Sequence, residues 1–229
     1  MRIAVVIPAY NEGSHLAPVI KEAKNFVEEV VVVDDGSTDH TVEECRKVGV
    51  KVIIHKGNQG KGAAIISGVN YVKENNFEAV IFMDADGQHD PQEIPIFIDI
   101  YQKQKADIVL GNRLNDCKNM PFIRYATNRF TSFLVSFLAK QKIEDSQCGF
   151  RLFAVDKLRD LKLATRKFDT ESEMLVLLSR RGCKVAAAPV KTIYREEESK
   201  INPVKDTIRF FKLIFSLWLK IRRENDNKE

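Results

Sequence analysis

A doubly wound α/β fold, with a mostly parallel sheet covered by helices on both faces, is predicted by three observations. Apolar runs of strand length alternate with amphipathic stretches of helical period through the first half of the chain. Those runs are continuously apolar, as strands buried on both faces require. Polar and acidic clusters stand directly after the runs, where the strand ends of such a sheet hold ligands.

Element by element, the first strand is read over Ile3 to Ile7, followed by a helix over about His15 to Val27. The second strand, Val30 to Val33, leads into an Asp-rich turn in which Thr38 or Asp39 caps the helix Thr41 to Val48. The third, Val50 to Ile54, is followed by a glycine segment that opens the helix Gly62 to Lys73. The fourth, Ala79 to Met83, precedes the helix Pro91 to Gln104, and the fifth spans Asp107 to Gly111. Right-handed crossovers wind these units into one layer. After residue 112 the rhythm changes. Pro121 to Lys140 reads as a helix, Gly149 to Ala154 as a short strand and Thr170 to Arg181 as a helix. Lys184 to Tyr194 reads as one or two strands, and Pro203 to Arg223 as a terminal helix.

The 229 residues contain no linker, repeat or low-complexity tract, so one domain is expected over residues 1–202. The terminal helix follows over 203–223, with a frayed tail at 224–229. At 44% apolar and 30% charged, the chain falls outside the disordered and fibrous classes. A net charge of +4 calls for no nucleic acid partner. Cys45, Cys117, Cys148 and Cys183 are scattered singly, which argues against both a zinc site and a disulfide scaffold. No stretch is long and apolar enough to span a bilayer, and the chain opens on a strand without a signal peptide. The expected compartment is the cytoplasm.

The chemistry lies at the strand ends. An acidic turn closing a strand is common, but Asp84 and Asp86 come with flexible Gly87 and an oxygen donor at Gln88. Mg2+ or Mn2+ is ordinarily held by one or two carboxylates plus substrate phosphates. Asp84, Asp86 and Gln88 are therefore candidate metal ligands, placing the ion to neutralise a leaving diphosphate. Asp34 and Asp35 are more carboxylate than a helix cap needs; they suit the N–H groups of a base or the hydroxyls of a ribose. Tyr10 suits stacking on a base, and Glu12 the same pocket. The segment Gly57 to Ala64, with Lys61, opens a helix whose N-terminus favours anions. It is neither a Walker A loop nor a dinucleotide fingerprint, and it follows the third strand instead of the first. Kinase, dehydrogenase and nucleotidyltransferase readings are weak on that ground.

Four segments in order carry a resemblance: Ile7 to Glu12, Val33 to Asp39, Gly57 to Gly62 and Asp84 to Gln88. Together they resemble the ordered signatures of family 2 glycosyltransferases, whose GT-A fold is Rossmann-like. Within that family the chain is most similar to dolichol-phosphate mannosyltransferases and related polyprenyl-phosphate glycosyltransferases, over roughly residues 1 to 200. The resemblance implies that residues 1–112 are the nucleotide-sugar half and 113–202 the acceptor half. It implies that Pro8, Tyr10, Glu12 and Asp35, beside Asp34, Lys61 and Ala85, line the donor nucleotide pocket. It also implies that Asp84, Asp86 and Gln88 ligate the metal and that the anomeric centre is inverted.

On the acceptor side, Arg113, Arg195 and Lys200 resemble the cations with which such enzymes grip phosphates, Arg as a fork and Lys as a point charge. A phosphomonoester acceptor, with a second pKa near ~6, is already largely anionic and needs no general base. Asp145, Glu171 and Glu173 are the candidate carboxylates for a base or an orienting group. In Pro203 to Arg223, Lys205, Arg209, Lys212, Ser216, Lys220 and Arg223 trace one face, with Ile208, Phe211, Phe215 and Trp218 opposite. That is the pattern of an interfacial helix. Arg124, Asn128, Ser132, Ser136 and Lys140 draw a similar stripe, with Phe130, Phe133, Leu134 and Phe137 elsewhere; packing onto the sheet and contact with a membrane both fit it.

The expected activity is transfer of a hexose, mannose or glucose, from GDP-mannose or UDP-glucose to a polyprenyl phosphate lipid at the inner face of the membrane. Peripheral membrane contact, a separate membrane-anchor partner or a homodimer would each cover the aromatic stripe. The alternatives are a soluble glycosyltransferase acting on a sugar hydroxyl, which requires a true base, and a non-catalytic nucleotide-sugar-binding protein.

Overall fold

The computed structural model describes residues 1–114, 120–167, 169–191 and 203–226. Strands β1 (Ile3–Ala9), β2 (Glu29–Asp34), β3 (Lys51–Ile54), β4 (Ala79–Phe82), β5 (Ile108–Asn112), β6 (Arg151–Ala154) and β7 (Val185–Pro189) form one sheet. Their order is β3-β2-β1-β4-β6-β5-β7. Every pairing is parallel except those of β6, which runs antiparallel to both β4 and β5. The helices are α1 (Leu16–Ala23), α2 (Thr41–Val48), α3 (Lys61–Glu74), α4 (Ile94–Gln104), α5 (Phe122–Ala139), α6 (Val155–Leu158), α7 (Asp169–Arg180) and α8 (Pro203–Asp226). A 3-10 turn at Pro91–Glu93 leads into α4.

The continuous apolar runs have the predicted cause. Val6, Val31, Val33, Val80 and Phe82 face one side of the sheet, beneath Ile65 of α3, Val135 of α5, Leu175 of α7 and Leu213 of α8. Val5, Ile7, Val30, Val32 and Ile81 face the other, beneath Leu16 and Ile20 of α1 and Phe97 of α4. Each such fully buried side chain contributes roughly 1.5–3 kcal/mol. The short strand read at Gly149 to Ala154 begins at Arg151, and its antiparallel insertion between β4 and β5 is set by tertiary pairing rather than local pattern.

Pro8 sits in a central strand, where its missing N–H ought to break the ladder. The register explains it. Pairing of β1 with β4 ends at Val6↔Phe82, and Val6 O accepts the last bond, from Met83 N. Backbone polar groups alternate sides along a strand, so Pro8 faces the side that β4 has already left, while Ala9 O still accepts from Asp35 N of the β2 end. The crevice opens there, at the point where strand order reverses between β1 and β4.

Helix α5 buries part of its polar stripe beside Val135, Leu138 and Ala139 and leaves its phenylalanines outside. Asn128 and Ser132, on its polar stripe, are buried against the protein. Ser132 Oγ accepts from Ser146 N at 2.8 Å, and Ser136 Oγ accepts from Ile143 N at 2.9 Å. Phe122, Ile123, Phe130, Phe133 and Phe137 point to solvent, with Phe133 65% and Phe137 68% exposed. In α8, Leu213 and Leu217 pack inward, while Ile208, Phe211, Phe215 and Trp218 are exposed. The Phe130 and Phe211 rings lie 6.5 Å apart, so the two helices share one aromatic surface. Among the described residues, no helix is long and apolar enough to cross a membrane.

Candidate active site at the strand ends

The loops after β1 and β2 are stitched together. Asn11, at φ 54°, donates its N–H to Ser37 Oγ and accepts from Thr38 N, both at 2.9 Å. Glu12 N donates to Thr41 Oγ1 at 2.9 Å. Asp39 caps the start of α2, its Oδ1 accepting from Thr41 N at 3.0 Å. Tyr10 projects from this stitched rim, with its side chain partly exposed.

The two aspartates ending β2 have different tasks. Asp35 spends both oxygens on the glycine segment: Oδ1 accepts from Gln59 N at 2.9 Å, and Oδ2 from Gly60 N at 2.7 Å. His55 Nδ1 stands 2.7 Å from Oδ1 and donates to it, since a carboxylate carries no proton. Asp35 is only 3% exposed and shapes the loop. Gly60, at φ 100°, lets the chain enter α3 where a Cβ would fall 2.7 Å from Arg166 O. Asp34 Oδ2 accepts from Ser37 N at 3.1 Å, while its Oδ1 is buried without a partner among the described residues.

At the end of β4, Asp86 Oδ1 accepts from Gln88 N at 2.9 Å across a turn made possible by Gly87 at φ 69°. Ala85 is buried and Gln88 half-buried. Lys61, the first residue of α3, reaches across to Asp84 Oδ1 at 2.5 Å and to Glu171 Oε2 of α7 at 3.1 Å. Burial works to raise the Asp84 carboxyl, but the charge of Lys61 and its hydrogen bond outweigh it and push the group down to about 2. Asp86 is raised instead, by burial and by the Asp84 carboxylate beside it. A hard cation relieves that repulsion, and two carboxylates with an amide oxygen suit Mg2+ or Mn2+ that draws its other ligands from phosphate and water. The donor set fits such an ion.

Two residues that no local pattern marked complete this corner. His89 Nδ1 accepts from Asp84 N at 3.1 Å, and its ring stacks on Phe150 at 5.2 Å. Burial pushes the imidazole down to about 4, so it is neutral with its proton on Nε2. Gly149 lies against the Asp84 carboxylate, where a Cβ would come within 2.4 Å of Oδ2.

Beside this corner Arg113, from the end of β5, is buried and paired with Asp145: Nε to Oδ2 at 2.8 Å, Nη2 to Oδ1 at 3.1 Å. Arg151 ties the same segment down, donating to Cys148 O, Ser146 O and Glu171 O. Glu173 accepts from Ala164 N, Thr165 N and Thr165 Oγ1, which seals it as a structural staple. Asp34, Asp35, Lys61, Asp84, Asp86, Arg113 and Asp145 thus share one sheet edge. Arg195 and Lys200 lie outside the described residues.

Known proteins resemble this chain in sequence and in fold. The family described as Glycosyl transferase family 2 matches residues 4–162. A UDP-N-acetylglucosamine–dolichyl-phosphate N-acetylglucosaminyltransferase of Methanococcus voltae is 31% identical over 85% of this chain and 86% of its own. An undecaprenyl-phosphate mannosyltransferase of Micrococcus luteus is 27% identical over 88% of each chain. Among solved structures, glucosyl-3-phosphoglycerate synthase from Mycobacterium tuberculosis, in complex with Mn2+, UDP and glucosyl-3-phosphoglycerate, superposes with a TM-score of 0.71. That likeness, at 18% identity over 96% of this chain and 79% of the other, is one of fold. The matched family spans β1 through α6 and every strand end just described, and the chain is a member of glycosyl transferase family 2.

Proposed function

We propose that this chain moves a hexose from a GDP- or UDP-sugar to a polyprenyl phosphate of the dolichyl type, at the cytoplasmic face of a membrane. The observation that carries the reading is one juxtaposition. The strand-end site of carboxylates and cations is fastened, through Ser146 and Ser132, to a helix whose aromatic face is turned outward. Polyprenyl phosphates are also what the Methanococcus and Micrococcus relatives are named for.

In this mechanism Asp34 offers its unpartnered oxygen, and Tyr10 its ring, to the nucleotide, in the pocket that Pro8, Glu12, Asp35 and Ala85 frame. Asp84, Asp86 and Gln88 would hold Mg2+ or Mn2+, which would supply Lewis-acid neutralisation of the leaving diphosphate. The Mycobacterium neighbour was crystallised with Mn2+ and UDP. Lys61 adds a positive charge within reach of the same diphosphate. Arg113, oriented by Asp145, is the phosphate ligand among the described residues proposed for this side, and Arg195 and Lys200, outside the described residues, are proposed to serve the same phosphates. An acceptor phosphate oxygen forms the new bond to the anomeric carbon as its bond to the diphosphate oxygen breaks, with inversion.

Asp145 and Glu173, two of the three candidate carboxylates, disfavour a sugar-hydroxyl acceptor, while Glu171 is paired with Lys61 at 3.1 Å. Such a reaction needs a general base, yet Asp145 is held below the usual range by Arg113 and Glu173 is sealed by three donors. An anionic phosphate acceptor needs neither. The test is a panel of GDP- and UDP-sugars with a short polyprenyl phosphate and Mg2+ or Mn2+, scored for lipid-linked sugar. Asp86→Ala is expected to abolish product while leaving the fold intact. Full turnover by that variant with metal chelated would overturn the assignment.

A further inference from the structure

Lys61 stands where two demands meet. A single ammonium serves Asp84 at 2.5 Å and Glu171 at 3.1 Å, from a side chain only 17% exposed. Its position is electrostatically awkward, because the first residue of α3 lies at the positive end of the helix dipole. The carboxylates, not the helix, keep it there. Asp84 in turn has little freedom: its backbone is held by His89, and its second oxygen rests against Gly149. The carboxylate that the cation requires is therefore already occupied by a cation.

We propose that Lys61 is a resident competitor for the divalent metal, occupying Asp84 when no nucleotide is bound and transferring to the diphosphate when one arrives. Metal and nucleotide binding are then coupled through one side chain. The proposal rests on the reading that Asp84 and Asp86 hold the metal.

The physical basis is charge. An ammonium and a divalent ion on one carboxylate repel in a partly buried site. A diphosphate resolves the conflict by giving the ammonium anionic oxygens of its own. Glu171, which touches Lys61 and stands 3.8 Å from Arg151, keeps the lysine within reach of both positions. Linkage makes the effect reciprocal: whatever the nucleotide gains from the metal, the metal gains from the nucleotide.

The experiment is Mn2+ titration of metal-stripped, full-length protein, following the electron paramagnetic resonance of free Mn2+ alone, with UDP and with GDP. Wild type is expected to bind Mn2+ at least about tenfold tighter with the matching nucleotide than without it. In Lys61→Met, Mn2+ alone should bind about tenfold tighter than in wild type, and the gain from nucleotide should shrink correspondingly. Lys61→Arg, which keeps the charge, should retain the wild-type pattern. Melting gives a second reading: Mn2+ without nucleotide should raise the midpoint of Lys61→Met more than that of wild type. Because Lys61→Met strands two carboxylates, Lys61→Met with Glu171→Gln is the variant to use if the single one does not fold, with the same tightening expected. Equal or weaker Mn2+ affinity in the charge-deleted protein, with an undiminished nucleotide gain, overturns the proposal and leaves the metal clamp standing. Absence of Mn2+ binding to wild type with either nucleotide defeats the clamp and the proposal together.

Discussion

Arg113 and Asp145 meet fork to fork, with Nε 2.8 Å from Oδ2, Nη2 3.1 Å from Oδ1 and the Arg113 backbone N–H 3.3 Å from Oδ2. Asp145 also accepts from Gln147 N at 3.0 Å. Burial works to raise this carboxyl, but Arg113 outweighs it and holds the group below its ordinary range. An acid so engaged orients its partner instead of accepting a proton from substrate.

Breaking the pair from one side leaves a buried guanidinium uncompensated. Asp145→Asn is expected to cost about 3–5 kcal/mol, less whatever the amide recovers as an acceptor. Urea unfolding at neutral pH measures it. A pH series adds a sign: the Asp145 contribution is present above the ordinary carboxylate range and is lost as pH falls through the depressed folded value. Asp145→Asn should therefore show a flatter acid limb than wild type. Equal stability and equal acid sensitivity in the two proteins would mean that the pair contributes nothing.

His89 gives a window nearer neutrality. Its folded value of about 4 lies below the ordinary 6.5, so the unfolded chain binds the proton more readily between them. Stability is complete above the unfolded value and is lost as pH falls toward the folded one, by roughly 3 kcal/mol over the whole window. His89→Gln keeps an acceptor for Asp84 N–H and cannot protonate. The difference in unfolding free energy between wild type and His89→Gln is expected to narrow steadily from pH 6.5 toward 4. A difference independent of pH would show that the imidazole does not stay neutral in the fold.

Gly149→Ala tests how closely the acidic corner is built. The added methyl lands 2.4 Å from Asp84 Oδ2 and 2.9 Å from its Cγ, so the carboxylate must move. A displacement near 1 Å at a reacting site costs about 100-fold in rate. Lipid-linked product formation should fall by about that factor, and the thermal midpoint should fall as well, because Lys61 holds the carboxylate against Gly149. Undiminished turnover would place Asp84 outside the chemistry.

These residues divide what a sequence reveals from what it withholds. Strand identity and the acidic turns at Asp34 and Asp84 were legible because continuous burial and turn chemistry are written locally. Partner choice was not. Asp35, read as a nucleotide contact, also folds the loop at Gln59 and Gly60, a partnership that no local pattern encodes. His89 stands alone in an acidic turn, and only pairing of β6 beside β4 brings Phe150 under its ring and Gly149 against Asp84. That antiparallel pairing joins segments some seventy positions apart and leaves no periodic trace. The stripe along α5 was visible, but its direction was fixed by Ser146 and Ile143, from a loop whose path no helix pattern encodes.

The exposed aromatic face of α5 yields the prediction that bears most on lipid substrates. Phe133 and Phe137 are 65% and 68% exposed, so Phe133→Ser with Phe137→Ser removes no core contact and should leave the urea midpoint unchanged or slightly higher. Ser132→Leu is the counterpart: a bulky group forced against Ser146 is expected to cost about 1–3 kcal/mol, with the Ser146 N–H also losing its acceptor. If the aromatic face enters a bilayer, each phenylalanine contributes roughly 1.5–3 kcal/mol to binding. The double serine variant should then lose sedimentation with anionic vesicles and transfer to long-chain polyprenyl phosphate within them. Transfer to a short-chain acceptor in detergent should persist, because the strand-end site is untouched. Vesicle binding that survives while a dimer falls to monomer would assign the face to a second copy of the chain. Either way, a helix that buries its serines and exposes its phenylalanines is built for a surface beyond its own fold.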